Sequence, residues 1–421
     1  MKTKKLFTLL TASSLAFWMQ ACSDSSSSSA EWEEELSSSS EEASSSSSEE
    51  KVSSSSEAAE SSSSEEKISS SSESEASSSS EAIESSSSAE ESSGTLFVFG
   101  SDYMSGELRW VENGGLSDEK MAFNQDSKLI AIGKNLLVLE RYGADNLSLV
   151  DAEKQVVWQV SLESGDNPSD AVKIDDSKIW VALEGAPKIL QVSLTDGKTL
   201  KTVETAAFSS AGSLSPNLVD LEVSGDTLFA LFQRYVFDSQ TYTTSFPKGL
   251  LAMYKLSDGA LLDTVQLDKK NPMAMAFVGG NLYVASQGEY NSTYGTDADD
   301  NRGIEKVDLK TRTSELVVSG EQLGGGVYAM AVDAENSVAY AAVYQTFGTV
   351  PVVKVDLTSL TVATVSDVSD AEGSLLFAAG TLYIGDRVYG NEAVFAYDGS
   401  AVLQLDNSVG ALAPYSIAFV K

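Results

Sequence analysis

The 421-residue chain contains no histidine. That excludes Ser-His-Asp and Cys-His catalytic arrangements, His-bound zinc, and the side chain that ordinarily acts as a general base near neutral pH. It contains one cysteine, Cys22, so neither an internal disulfide nor a Cys-x-x-Cys motif can form. Cations are scarce: 28 Lys and Arg stand against 62 Asp and Glu, a formal net charge of −34. Such a chain repels phosphate backbones, so no nucleic-acid partner is expected. A neutral sugar or a divalent cation is electrostatically easier to accept than an anion. No segment keeps a helical apolar period over a useful length.

What is present falls into three zones. Met1–Lys5 holds three lysines, and an apolar stretch follows from Leu6 to Met19, too short for a comfortable membrane span. A basic start, a short apolar run and a small residue before the cut predict a signal peptide over 1–21. Met19-Gln20-Ala21-Cys22 resembles the lipobox of bacterial lipoproteins. The resemblance implies cleavage before Cys22, lipidation of its thiol and anchoring in the outer membrane at the cell surface, with the periplasmic face as the alternative.

Residues 22–93 alternate Ser blocks with acidic inserts such as Glu41-Glu42-Ala43 and Glu65-Glu66-Lys67-Ile68. Residues 23–93 hold 19 acidic and two basic side chains. This composition cannot bury a core, so a disordered tether is expected, extended by its own charge to a rest length of at least about 45–50 Å. The Ser-block pattern resembles the tails of surface lipoproteins from fibre-degrading gut bacteria.

Residues 94–421 repeat a four-strand pattern. Its clearest element is an apolar run: Leu96-Phe97-Val98-Phe99, Leu136-Leu137-Val138-Leu139, Ile179-Trp180-Val181-Ala182, Leu228-Phe229-Ala230-Leu231, Leu282-Tyr283-Val284-Ala285, Ala339-Tyr340-Ala341-Ala342 and Leu382-Tyr383-Ile384-Gly385. Successive copies start 40, 43, 49, 54, 57 and 43 residues apart. First strands are expected at 168–174, 216–223, 272–278 and 414–420, each opened by a proline, and third strands at 189–194, 304–309, 352–357 and 393–397. Asp151, Asp308 and Asp356 read as turn formers after third strands. Four strands per repeat of this length is the signature of a β-propeller.

The chain enters at Leu96 in a second-strand motif and ends in a first-strand motif. The two orphans complete one blade, which predicts an all-β, seven-bladed propeller of four-stranded antiparallel blades closed by the C-terminal strand. Asn281-Leu282-Tyr283-Val284-Ala285 and Lys306-Val307-Asp308-Leu309 resemble the YVTN/NHL-type bacterial propellers. The strand aromatics Trp180, Tyr283, Tyr340 and Tyr383 are expected in the core.

Candidate site residues lie where second strands end. The sixth residue of each run reads Ser101, Arg141, Glu184, Gln233, Gln287, Tyr344, Arg387, none aliphatic, which predicts a ring around the mouth of the central channel. The loops that follow carry Tyr103, Tyr142, Arg234, Tyr235, Tyr242, Phe246, Tyr290, Tyr294, Phe347 and Tyr389. Aromatic platforms with planar polar groups suit a carbohydrate or a peptide. The competing reading is that polar residues follow any strand leaving a core. Asp297, Asp299 and Asp300 lie near Gly303 and loosely resemble a calcium loop, but they lack its closing Glu and read better as a solvated acidic turn. No cofactor is required.

Three functions remain open: a monomeric surface module binding carbohydrate or a partner protein without catalysis, a carboxylate-based polysaccharide hydrolase or lyase using a pair from Glu140, Glu184, Glu289 and Asp386, and a periplasmic envelope-assembly scaffold.

Overall fold

The computed structural model describes residues 94–290, 301–365, 368–372, 374–398 and 410–421, and the backbone of 402–404. The leader, Cys22, the Ser/Glu segment, Tyr294 and the Asp297, Asp299 and Asp300 cluster lie outside the described residues.

The described chain forms seven antiparallel blades. Blade 2 comprises Ser127–Ile132, Asn135–Glu140, Asn146–Val150 and Val156–Ser161, and blade 3 Pro168–Asp175, Lys178–Leu183, Lys188–Ser193 and Thr199–Glu204. Blade 4 comprises Leu218–Ser224, Thr227–Phe232, Lys248–Lys255 and Leu261–Lys270, and blade 5 Pro272–Val278, Asn281–Ser286, Gly303–Asp308 and Thr313–Ser319. Blade 6 comprises Gly326–Asp333, Val338–Tyr344, Val352–Asp356 and Thr361–Thr364, and blade 7 Leu375–Ala378, Thr381–Asp386, Ala393–Tyr397 and Val402–Gln404. The first strands of neighbouring blades touch all the way round and line the channel.

Blade 1 is composite. Pro414–Val420 is its innermost strand, followed by Thr95–Ser101 and Gly106–Glu112, with Gly115–Leu116 and Met121–Phe123 at the outer edge. Thr95 pairs with Val420 and Phe99 with Ser416, and the N–H of Ser101 donates to the carbonyl of Ala413 at 2.9 Å. The closure expected from the orphan motifs is therefore the one observed.

The apolar runs of the second strands are continuous because both faces of each blade are covered by a neighbour. Leu137 and Leu139 pack toward blade 3 while Leu136 and Val138 pack toward blade 1. Ile179 and Val181 face blade 2, whereas Trp180 and Ala182 face blade 4. Hydrophobic clusters fill every interface between adjacent blades. Each fully buried large aliphatic or aromatic side chain contributes roughly 1.5–3 kcal/mol. Trp180, Tyr283 and Tyr340 are buried as expected, while Tyr383 is half-buried against blade 1. Fourth strands alternate with exposed positions because their outer edge meets solvent.

Polar groups tie the first strands together across the blade boundaries. Asp170 Oδ2 accepts the N–H of Leu221 at 2.9 Å, Asp220 Oδ2 that of Met275 at 2.6 Å, and Ser416 Oγ that of Leu129 at 3.0 Å. Asp151, Asp308 and Asp356 each accept a backbone N–H from the turn that follows at 2.8 Å, as turn formers do.

Two details depart from the sequence reading. The loop over 233–248 is partly ordered as a two-stranded ribbon, Val236–Asp238 with Thr243–Ser245. A single helical turn, Gly320–Leu323, is held by a capping box between Ser319 and Gln322.

Removing residues 414–421 would leave Thr95–Ser101 without its inner partner and strip two blade interfaces. The melting midpoint of the truncated protein is expected to fall by on the order of 10 °C or more. An unchanged midpoint by calorimetry would show that closure is dispensable.

Candidate ligand-binding site

The second strands end, and the first strands begin, at one face. Backbone bonds fix the two sets of residues against each other there. The N–H groups of Arg141, Glu184, Gln233, Gln287 and Arg387 donate to the carbonyls of Asp126, Asn167, Asn217, Asn271 and Asp370 at 2.8–3.0 Å. Five of the expected ring residues thus occupy one equivalent position, and Ser101 holds it in blade 1. In blade 6 the second strand carries Tyr344 at that position, paired with Gly326 as Gln287 faces Asn271 in blade 5.

The ring side chains are largely tied to one another, which supports part of the competing reading. Arg141 lies 3.7 Å from Asp126 and 3.4 Å from Glu184. Burial opposes the Arg141 charge, but Asp126, Tyr142 and Glu184 hold its pKa above the ordinary value. Glu184 is a hub: it accepts Nδ2 of Asn167 at 3.1 Å and the hydroxyls of Tyr142 and Tyr235 at 3.3 Å. Gln233 donates to Asn271 Oδ1 at 2.8 Å, and Asn271 donates to Gln287 Oε1 at 3.2 Å. Arg387 sits between two rings, 5.0 Å from Tyr103 and 5.3 Å from Tyr415, and donates to the carbonyls of Ala413, Pro414 and Ser101.

Above these pairs stands an aromatic collar. Tyr235, Phe246, Tyr290, Tyr344 and Tyr328 form a chain of ring contacts from blade 4 to blade 6, with centroids 5.7–6.3 Å apart. Tyr103 meets Tyr415 edge-on at 6.3 Å in blade 1, and in blade 2 the Arg141 guanidinium lies 5.0 Å from the Tyr142 ring. Burial, and then the nearby Glu372 carboxylate, push Tyr103 up to about 12. The same two causes push Tyr344 up to about 12. Glu372 itself is raised, by burial first and then by Asp370, with Arg387 opposing. Its influence on tyrosines of blades 1, 5 and 6 places this carboxyl toward the middle of the collar.

Several buried polar atoms on residues at this end have no hydrogen-bond partner among the described residues: Asp126 Oδ2, Asn217 Oδ1, Gln287 Nε2, Asp370 Oδ1 and Ser374 Oγ. Each such atom costs roughly 1–3 kcal/mol when left unmet. Among the described residues no cluster of acidic side chains could hold a metal ion.

The structure brings together Tyr103, Arg141, Glu184, Gln233, Gln287, Tyr290, Tyr344 and Arg387. It does not bring Arg234 or Tyr242 to the mouth. Arg234 braces blade 4 through the Phe208 carbonyl at 3.0 Å and Gln266 at 3.3 Å. Tyr242, 63 % exposed, meets Phe237 on the ribbon. Tyr328, Tyr415, Asp370 and Glu372 are additions that sequence reading missed. Tyr328 and Tyr415 occupy β-bulges of their first strands, and such bulges re-aim side chains. A tyrosine following the strand-opening Pro414 was the available signal.

Deeper in the channel, Lys128 bonds Asp170 at 3.3 Å, and Asp220 and Glu222 stand on the next first strand. Burial, then Asp170, raises Glu222 to about 7 from an ordinary value of 4.5. Between those values the folded protein holds a proton that the unfolded chain has released, so stability falls as pH rises through that window. The penalty is absent below the unfolded value and complete above about 7. Glu222→Gln is therefore expected to raise the melting midpoint by a few degrees at pH ~8 and to leave it unchanged at pH ~4. An equal shift at both pH values would refute the linkage.

No protein-family model matches this chain, and no curated protein does. Solved structures do. A Bacteroides fragilis protein provisionally named a 6-phosphogluconolactonase shares 14 % identity over 79 % of this chain and 99 % of its own, with a TM-score of 0.51. Hydrazine synthase of Kuenenia stuttgartiensis shares 16 % identity over 71 % of this chain and 90 % of its own, with a TM-score of 0.52. AztD of Citrobacter koseri shares 11 % identity over 78 % of this chain and 98 % of its own, with a TM-score of 0.47. At these identities the likeness to the first two is one of fold alone.

Proposed function

We propose that this chain is a lipid-anchored binding protein of the bacterial cell surface, whose propeller takes a carbohydrate or a partner protein at the collar without catalysing a reaction. One observation carries the reading: an aromatic collar shares this end with buried polar atoms that have no partner among the described residues. Rings supply apolar area at low entropic cost, and ligand hydroxyl or amide groups reaching Asp126, Gln287 or Asp370 recover the hydrogen bonds those atoms lack.

Binding fits the carboxylates better than hydrolysis does. Glu140 accepts from the N–H of Asn124 and from Ser148 and Gln159. Asp386 accepts three backbone N–H groups, and Glu289 pairs with Lys270 at 2.7 Å. Glu184 serves as the hub already described. Each of the four has a bracing task, and such a task is at odds with service as acid or nucleophile.

The anchoring half of the proposal rests on sequence: the leader over 1–21, the lipobox ending at Cys22, and the charged Ser-rich tether over 22–93. The YVTN/NHL resemblance is compatible with a repeat-built binding domain on such a stalk.

Wild-type protein is expected to be retained by at least one insoluble polysaccharide, arrayed glycan or native envelope complex. A Tyr103→Ala, Tyr290→Ala double variant should weaken that binding about tenfold or more, ~1.4 kcal/mol, with its melting midpoint little changed. Failure of every ligand class, or undiminished binding by the variant, overturns the binding-site reading. For the anchor, protease added to intact cells should remove the propeller, and Cys22→Ser should move it from the membrane to the soluble fraction. Protection of the domain in intact cells would favour a periplasmic location.

A further inference from the structure

We propose that the collar's ligand is an uncharged, hydroxyl-rich sugar, and that the carboxyls of Asp370 and Glu372 in blade 7 are the groups that read its hydroxyls. This rests on the binding role assigned to the collar and narrows its ligand to the carbohydrate.

Asp370 lies at the mouth, directly across from Arg387, whose N–H donates to its carbonyl at 2.9 Å. Its backbone is held on both sides. The Asp370 N–H donates to Asp386 at 3.2 Å, and the Ala371 N–H donates to the carbonyl of Val350, from the blade 6 loop, at 2.8 Å. The side chain has no such support. Asp370 is 7 % exposed, neither carboxylate oxygen accepts a hydrogen bond among the described residues, and Oδ1 is fully enclosed.

The fold does not require an aspartate here. The equivalent residues of blades 3, 4 and 5 are Asn167, Asn217 and Asn271, with φ of +47°, +56° and +51°, a left-handed backbone that favours Asn. Asp126 of blade 2 accepts the Tyr415 hydroxyl at 3.0 Å. Asp370 has neither a left-handed backbone nor a bonded side chain among the described residues. A buried carboxyl without a hydrogen bond is costly, so its presence at a rigid position points to a partner supplied from outside. Glu372, two residues on, is half-buried and likewise accepts no hydrogen bond among the described residues. Its charge acts on Tyr103 of blade 1, Tyr290 of blade 5 and Tyr344 of blade 6, which sets it between the rings of the collar. Tyr103 and Tyr290 are each 40 % exposed and offer ring surface to a ligand.

The chemistry selects the ligand class. The unmet groups are chiefly acceptors: Asp126 Oδ2, Asn217 Oδ1 and the carboxyls of Asp370 and Glu372, against one amide donor, Gln287 Nε2. A ligand must therefore bring an excess of donors. Every sugar hydroxyl can donate, whereas a peptide backbone brings one acceptor with each donor. Tyrosine rings suit the apolar faces of a pyranose. Acidic sugars are repelled by the two carboxyls and by a net charge of −34. An ammonium ion gains little, because burial raises Asp370 and Glu372 toward the neutral form and Arg387 already supplies a cation beside them.

The test is calorimetric titration of the full-length protein with neutral glucan, xylan, mannan and galactan hexasaccharides, with hexagalacturonate as the acidic counterpart and solubilised envelope proteins in a parallel pull-down. At least one neutral sugar is expected to bind saturably, and hexagalacturonate about tenfold more weakly or less. Asp370→Asn with Glu372→Gln should weaken the neutral sugar about fivefold or more. Neither carboxyl braces the fold, so the melting midpoint should hold or rise. Undiminished sugar binding by this paired variant, equal binding of hexagalacturonate, or a midpoint lowered by several degrees would overturn the proposal and leave the collar a binding site. Capture of an envelope protein but of no sugar, abolished by Tyr103→Ala with Tyr290→Ala, would do the same. Absence of every ligand class would remove the collar's binding role and this inference with it.

Discussion

The pairing of Pro414–Val420 with Thr95–Ser101 is the constraint on which the rest of the structure depends. Every blade has two apolar faces and needs a neighbour on each side. An open array of seven would leave the outward faces of blades 1 and 7 wet. The last strand removes that exposure by joining blade 1: Ile417 enters the cluster shared with blade 7, and Ala418 and Val420 enter the one shared with blade 2. Ser416 then binds the first strand of blade 2, so the same short segment secures both sides of the joint.

Closure also sets the collar. Tyr415 arrives with the closing strand and stacks under Arg387 from blade 7, while Tyr103 comes from the loop after the strand it pairs with. The Tyr415 hydroxyl donates to Asp126 of blade 2 at 3.0 Å. The group that latches the ring is therefore also a wall of the proposed ligand mouth. Fold stability and site geometry are coupled here, because one cannot be disturbed without the other.

Electrostatics at the collar are set by burial. At the collar, acidic groups are buried beside tyrosines and arginines, and burial raises Asp126, Asp370 and Glu372 toward the neutral form. Such a mouth offers hydrogen-bonding capacity with little free charge, as suits a neutral ligand.

The blades were legible in the sequence because burial on both faces turns each second strand into an unbroken apolar run, and the register of its last residue follows from that run. Arg141, Glu184, Gln233, Gln287 and Arg387 were placed by this count alone. The same count places Tyr344, which pairs with Gly326 at the mouth end of blade 6. Arg234 and Tyr242 were misassigned because loop residues have no periodicity to fix their direction: φ is +64° at Arg234 and +54° at Tyr242, and each side chain turns away to its own blade. Composition and spacing determined the fold class, the number of blades and the exclusion of histidine chemistry. Only the closed ring decided that Tyr328, Tyr415, Asp370 and Glu372 meet the loop tyrosines, because bulges in the first strands and contacts between distant segments set those directions, and neither is written in any single stretch of chain.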